Sequence, residues 1–255
     1  MIEYNEELKL FHLTTPKTSY VFRIFGEGVL EHLYYGKKLV GLDGMAPCNY
    51  GIYVNGSPVD SEYADMDSFV STDIMLQEYG FYGSCDFRTP GFHASYSDGS
   101  RITKLKYVSH EIYCGKPKLK GLPATYTESD DEAQTLEILM KDELTGLIFK
   151  YRYTAFTYLD AITRNVEIVN SGENAVKIEK IMSCCIDFED HDYDFIHLSG
   201  SWARERFIKR EAIGQSRIQV ESRRGSSSHH HSPFIALVGK NTDEKSGDVY
   251  GFTLA

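Results

Sequence analysis

TLEILMK (residues 135–141), LIFKYRYTAF (147–156), AITRNVEIV (161–169) and VKIEKIMSCCIDF (176–188) are the segments whose reading decides the fold. In each, apolar and polar side chains exchange places from one residue to the next, with some slippage. That two-residue period belongs to a strand with one buried face. Turn-forming residues separate the segments at 142–146, 158–160 and 170–174. Three or four successive strands joined so tightly predict an antiparallel meander.

Working outward from the meander, the rest of the chain reads the same way. Eighteen Tyr and 14 Phe accompany short β-branched runs broken by Gly, Asn and Asp, which is strand composition. Upstream, residues 8–25 predict a hairpin turning at 14–17, and VLEHLYY (29–35) a further strand. Strands are expected at 92–96 and 102–113, joined as a hairpin through Asp98-Gly99. Residues 41–71 lose periodicity and read as one long loop, a feature that in compact domains is often functional. Downstream, strands are expected at 218–222, 234–239 and 248–254. At 255 residues the expectation is one all-β domain spanning 1–255.

Composition narrows the partners. Lys+Arg number 27 against 37 Asp+Glu, a net charge of −10. Nucleic acid and anionic membranes both reward a basic surface, so neither is expected as a partner, and a neutral ligand is. No apolar run approaches the ~20 residues of a membrane-spanning helix. The N-terminal MIEYNEELKLFHL has no basic, apolar leader pattern. Five cysteines, an odd number without CxxC spacing, fit reduced thiols in the cytoplasm.

The sequence marks no cofactor or metal site. Residues 115–126 hold two glycines and two prolines but neither a dinucleotide fingerprint nor a phosphate loop. Acidic DFEDHDYD (187–194) lacks the glycine and terminal glutamate of a calcium loop and reads as a solvated turn. In the triple histidine 229–231, adjacent side chains of an extended chain alternate, so at most His229 and His231 could share an ion. Asp86 and Arg88 flank Phe87 and suggest a structural salt bridge.

The sharpest chemical signal is HLSGSWARERFIKR (197–210), which contains the only tryptophan, Trp202. Gly200 and Ser201 suggest a bend that presents the indole, with Arg204, Glu205 and Arg206 beside it. A flat aromatic face next to guanidinium forks suits a pyranose, which has an apolar C–H face and a hydroxyl edge. The competing reading is a half-buried tryptophan stapled by surface ion pairs.

Taken together, the motifs resemble the N-terminal domain of family 36 glycoside hydrolases, the bacterial and fungal α-galactosidases. The resemblance rests on Tyr34-Tyr35-Gly36-Lys37, Gln77-Glu78-Tyr79, Asp86-Phe87-Arg88, Thr135-Leu136-Glu137-Ile138, Ile162-Thr163-Arg164, Gly200–Arg206, Arg224-Gly225 with Ser227-Ser228-His229, and Val249-Tyr250-Gly251-Phe252. They are collinear over nearly the whole chain.

The resemblance implies a β-supersandwich of two large antiparallel sheets, related to mutarotase-like folds. It also implies a following (β/α)8 barrel that carries both catalytic aspartates, set roughly 5 Å apart for retaining hydrolysis of terminal α-linked galactose. No alternating strand–helix pattern occurs before Ala255, so no catalytic residue is expected in this chain. Trp202 is the substrate-binding residue the resemblance implies, for sugars such as melibiose, raffinose and stachyose. An acidic residue of the 41–71 loop is implied to reach a neighbouring subunit's pocket, with Asp60, Asp65 and Asp67 all candidates. The implied assembly is a homo-oligomer, a tetramer in intact family members. The alternative is a stand-alone, non-catalytic carbohydrate-binding or scaffolding module. An epimerase would need a positioned acid and base, and no motif links His93, His110 and His197.

Overall fold

Strands make up nearly all of the regular structure in the computed structural model, which describes residues 1–26, 28–42, 72, 75–83, 88–121, 124–188 and 192–254. The chain forms two compact units, Met1–Asp187 and Phe188–Ala255. Among the described residues the strands pair antiparallel throughout, and no helix is long and apolar enough to cross a membrane.

The first unit contains β1 (Ile2–Asn5), β2 (Leu10–Thr14), β3 (Thr18–Phe25), β4 (Val29–Lys37), β5 (Phe92–Tyr96) and β6 (Lys106–Cys114). A short 3-10 turn, Asp130–Glu132, precedes β7 (Ala133–Lys141), β8 (Leu147–Phe156), β9 (Ile162–Asn170) and β10 (Val176–Ile181). β1-β2-β3-β4 and β6-β7-β8-β9 are sequential four-stranded sheets, while β5 and β10 form a separate ribbon.

The two larger sheets share one core. On β8, Leu147, Phe149, Tyr151 and Tyr153 are buried, and on β7 Leu136, Ile138 and Met140 are. They meet Phe11, Leu13, Tyr20 and Phe22 of β2 and β3 in one apolar cluster. Phe22 stacks on Tyr153 at 5.0 Å between ring centres, and Phe92 of β5 meets Phe149 edge-on at 4.8 Å. Burying each such side chain stabilises the fold by about 1.5–3 kcal/mol. On the opposite face of the meander, Arg152 of β8 pairs across strands with Glu137 at 2.5 Å and Glu167 at 2.7 Å.

The second unit contains β11 (Tyr193–Ser201), β12 (Arg204–Ala212), β13 (His231–Gly239) and β14 (Val249–Thr253). They form one sheet in the order β12-β11-β13-β14. Its apolar contacts centre on Phe195, Ala236 and Val238, with Phe188, Tyr193 and Tyr250 in edge-on ring contact nearby.

The all-β antiparallel expectation holds, with three local departures. Asp98-Gly99 does turn, since the Gly99 N–H reaches the Tyr96 carbonyl at 3.0 Å, but β5 pairs with β10 rather than with β6. A turn signal fixes a reversal of the chain and says nothing about which edge the strand then finds. The fourth segment of the meander leaves it for the same reason, ending at Ile181 on β5. Residues 218–222 form no strand: they are mostly exposed and have no ladder partner.

Candidate functional site

β11 and β12 form a hairpin closed by the pair Ser201–Arg204, so Trp202 and Ala203 alone make its tip. Ala203 takes a left-handed backbone (φ 62°), and its N–H donates to the Glu205 carboxylate at 2.8 Å. Gly200 is required here: a Cβ at that position would lie 2.1 Å from the Arg204 carbonyl oxygen. The Gly200 N–H also donates to the His230 carbonyl at 3.1 Å, tying the tip to the segment ahead of β13. Trp202 is left 82% exposed. Within this chain the indole is therefore not half-buried. An indole held in water by an ordered turn carries a desolvation gain that only a ligand or a partner can collect.

Beside the tip lies a recess of about 280 Å³ lined by Glu205, Arg206, Ser227, Ser228, His229, Ser232 and Pro233. Of the three histidines only His229 lines it, with its ring 4.3 Å from that of His230. His230 Nδ1 lies 3.1 Å from the Ser228 hydroxyl, and His231 meets His197 ring-to-ring at 5.6 Å. His197 in turn contacts Glu211 at 2.9 Å. No three His, Cys, Asp or Glu side chains converge at metal-ligand spacing among the described residues. Residues 189–191 of the acidic run lie outside the described residues; of its other members, Asp187 accepts from the Gln77 N–H and Arg88, Asp194 from Arg210, and Asp192 contacts Lys240.

A second polar constellation lies inside the first unit. The buried Glu78 carboxylate accepts from the Tyr20 hydroxyl at 2.6 Å, the Tyr153 hydroxyl at 3.0 Å and Arg164 at 2.9 Å, and its other oxygen contacts His32 Nδ1 at 3.0 Å. Arg164 also donates to the carbonyls of Glu78 and Cys185. Burial alone would raise the Glu78 carboxyl, but the Arg164 charge and the His32 and Tyr20 hydrogen bonds hold it below the usual value. Every oxygen is occupied and no solvent reaches it, so this cluster offers a substrate no access. It fastens residues 78 and 185 to the sheets. Sequence reading named Glu78 and Arg164 only as parts of motifs, and their separation of 86 residues left no local signal of the pairing.

His93 stacks on Tyr82 at 4.3 Å, whereas His110 contacts the Tyr107 hydroxyl at 2.7 Å and packs on Tyr4 and Phe11. Each ring sits in its own aromatic surroundings, not in an acid–base pair. Asp60, Asp65, Asp67 and Asp86 lie outside the described residues.

The described residues thus form an antiparallel all-β structure that presents a solvent-facing indole beside a polar recess. The chain belongs to the glycosyl hydrolase family 36 N-terminal domain, whose sequence profile matches residues 28–255. It is 43% identical to α-galactosidase AgaA of Geobacillus stearothermophilus over 255 residues, covering 99% of this chain and 34% of that protein. The crystal structure of α-galactosidase AgaB from the same organism superposes with a TM-score of 0.87 at 43% identity, over 98% of this chain and 34% of AgaB. AgaA in complex with raffinose superposes at 0.85 and 43% identity, over 95% of this chain and 33% of that one. The chain thus spans about a third of the length of the relatives it matches.

Proposed function

We propose that this chain is the N-terminal β-domain of an α-galactosidase that hydrolyses terminal α-linked galactose from melibiose- and raffinose-type oligosaccharides with retention. Its own part is to support a catalytic barrel, contribute oligomer contacts, and supply one wall of the sugar pocket through Trp202. The observation that carries the reading is the exposed Trp202 on a two-residue hairpin tip, in a chain of this family. The raffinose complex of a relative supports the substrate class. The catalytic carboxylates belong to the two-thirds of the relatives' length that has no counterpart here. A cytoplasmic setting is part of this reading, and the free thiols of Cys114, Cys184 and Cys185 support it.

The test joins residues 1–255 to the remaining part of a family 36 α-galactosidase and follows hydrolysis of nitrophenyl α-galactoside. Trp202→Ala should raise KM about tenfold, the loss of one stacked ring. Unchanged kinetics with an intact fold would sink the assignment of Trp202.

A further inference from the structure

We propose that Glu205 is the positioning residue of Trp202: its carboxylate sets the direction of the indole and so governs how tightly substrate is held. This inference rests on the reading of Trp202 as one wall of a sugar pocket.

The geometry follows from the peptide unit. Trp202 and Ala203 are the whole tip, and the Ala203 N–H donates to the Glu205 carboxylate at 2.8 Å. That N–H lies in one plane with the Trp202 carbonyl. Fixing it fixes the peptide that follows Trp202, and with it one of the two backbone torsions at the residue that bears the indole. The carboxylate thus acts on the ring through the backbone.

Two further observations point the same way. Among the described residues Glu205 forms no ion pair, although Arg204 and Arg206 adjoin it in sequence, and its one hydrogen-bond partner is the Ala203 N–H. Ala203 and Arg206 both take a left-handed backbone, φ 62° and 61°, which residues with a side chain seldom adopt. Such backbone persists only where its surroundings over-determine it, and it gathers at ligand clamps. On the β11 strand the tip is held by main chain alone, through the Gly200 N–H and the His230 carbonyl. On the β12 strand the hold is a side chain, that of Glu205.

The test has two parts. In the 255-residue chain the fluorescence anisotropy of Trp202, the single tryptophan, reports the tip. Glu205→Ala should lower it by about a third, as the ring gains nanosecond freedom. Glu205→Gln keeps an acceptor oxygen without the charge and should restore it. An anisotropy indifferent to the alanine variant, or lowered as far by the glutamine variant, overturns the inference.

The second part uses residues 1–255 joined to the remaining part of a family 36 α-galactosidase, with nitrophenyl α-galactoside as substrate. Glu205→Ala should raise KM about threefold at unchanged kcat, the effect of one lost hydrogen bond, and Glu205→Gln should restore it. Added to Trp202→Ala, Glu205→Ala should raise KM by no more than about 1.5-fold, because its effect runs through the absent ring. A full threefold rise in that background overturns the inference by giving Glu205 a role of its own. A KM sensitive to Trp202→Ala and indifferent to Glu205→Ala overturns it too and leaves the Trp202 reading standing. A KM that Trp202→Ala leaves unaltered overturns both readings.

Discussion

Arg164 and Glu78 meet 2.9 Å apart with side chains only 8% and 0% exposed, so a full ion pair is enclosed in the core of the first unit. The pair is tolerable because the two hydroxyls of Tyr20 and Tyr153 and the ring of His32 complete the carboxylate's hydrogen bonding. Buried pairs of this kind contribute little net stability over apolar replacements, yet losing one partner strands the other charge.

Arg164→Met should therefore destabilise the chain by about 3–5 kcal/mol, read as a lower midpoint in urea unfolding. Adding Glu78→Leu should recover part of that loss. Additive losses in the double variant would show that the two side chains act independently.

The same carboxylate sets an acid limb. Its folded pKa lies below the ordinary 4.5, so its contribution is fully present above that value and is lost as pH falls through the folded pKa. Glu31 acts in the opposite sense: burial raises its carboxyl despite Arg23, so its contribution is present at low pH and lost as pH rises. The stability difference between the unaltered chain and Glu78→Gln isolates the first effect. It should shrink as pH falls below about 4.5, and a constant difference from about pH 6 to about pH 3 would rule the linkage out.

Gly200→Ala tests the hairpin. The added methyl would overlap the Arg204 carbonyl and approach the Glu205 Cα at 2.9 Å, both backbone atoms that cannot step aside. A loss of about 1–3 kcal/mol is expected. Since Trp202 is the only tryptophan, its fluorescence anisotropy reports the tip alone, and it should fall as the turn loosens. Unaltered anisotropy and stability would mean that the close approach is not needed.

Cysteine chemistry gives a fourth outcome. Burial pushes the Cys185 thiol up to about 11, leaving almost no thiolate near neutrality. In the native chain at about pH 8, iodoacetamide should leave Cys185 unmodified until denaturant is added. Rapid native labelling of Cys185, mapped by mass spectrometry, would contradict its burial.

How much of this could be read beforehand depended on distance along the chain. Strands β7, β8 and β9 were legible because β7 and β8 largely alternate in burial and the turns joining the three are local. Asp142 shows the turn chemistry, accepting the Leu144 and Thr145 N–H groups while Gly146 takes a left-handed φ of 74°. The hairpin of β2 and β3 was legible from Thr-Thr-Pro-Lys for the same reason. The partner of β5 was not, because Ala94 meets Ile178 across most of the meander and only the completed sheets leave that edge open. Trp202 was legible as a presented aromatic from Gly-Ser-Trp, but its degree of exposure depends on a hairpin whose second strand, with residues 204–212 all exposed, carries no alternation to reveal it. The buried cluster was invisible as a cluster, since its members come from β3, β4, β8, β9 and residue 78.

That second strand has a further consequence. Among the described residues β12 pairs with β11 on one side only, which leaves a row of backbone donors and acceptors on the other. Such a rim invites strand addition and runaway polymerisation. Six of its nine residues, Arg204, Glu205, Arg206, Lys209, Arg210 and Glu211, are charged, and the bulge at Ser199–Ser201 bends its start. An incoming copy would have to desolvate that fence of ions before gaining a single ladder bond. The segment that presents Trp202 is thereby guarded against growing fibres from its own border.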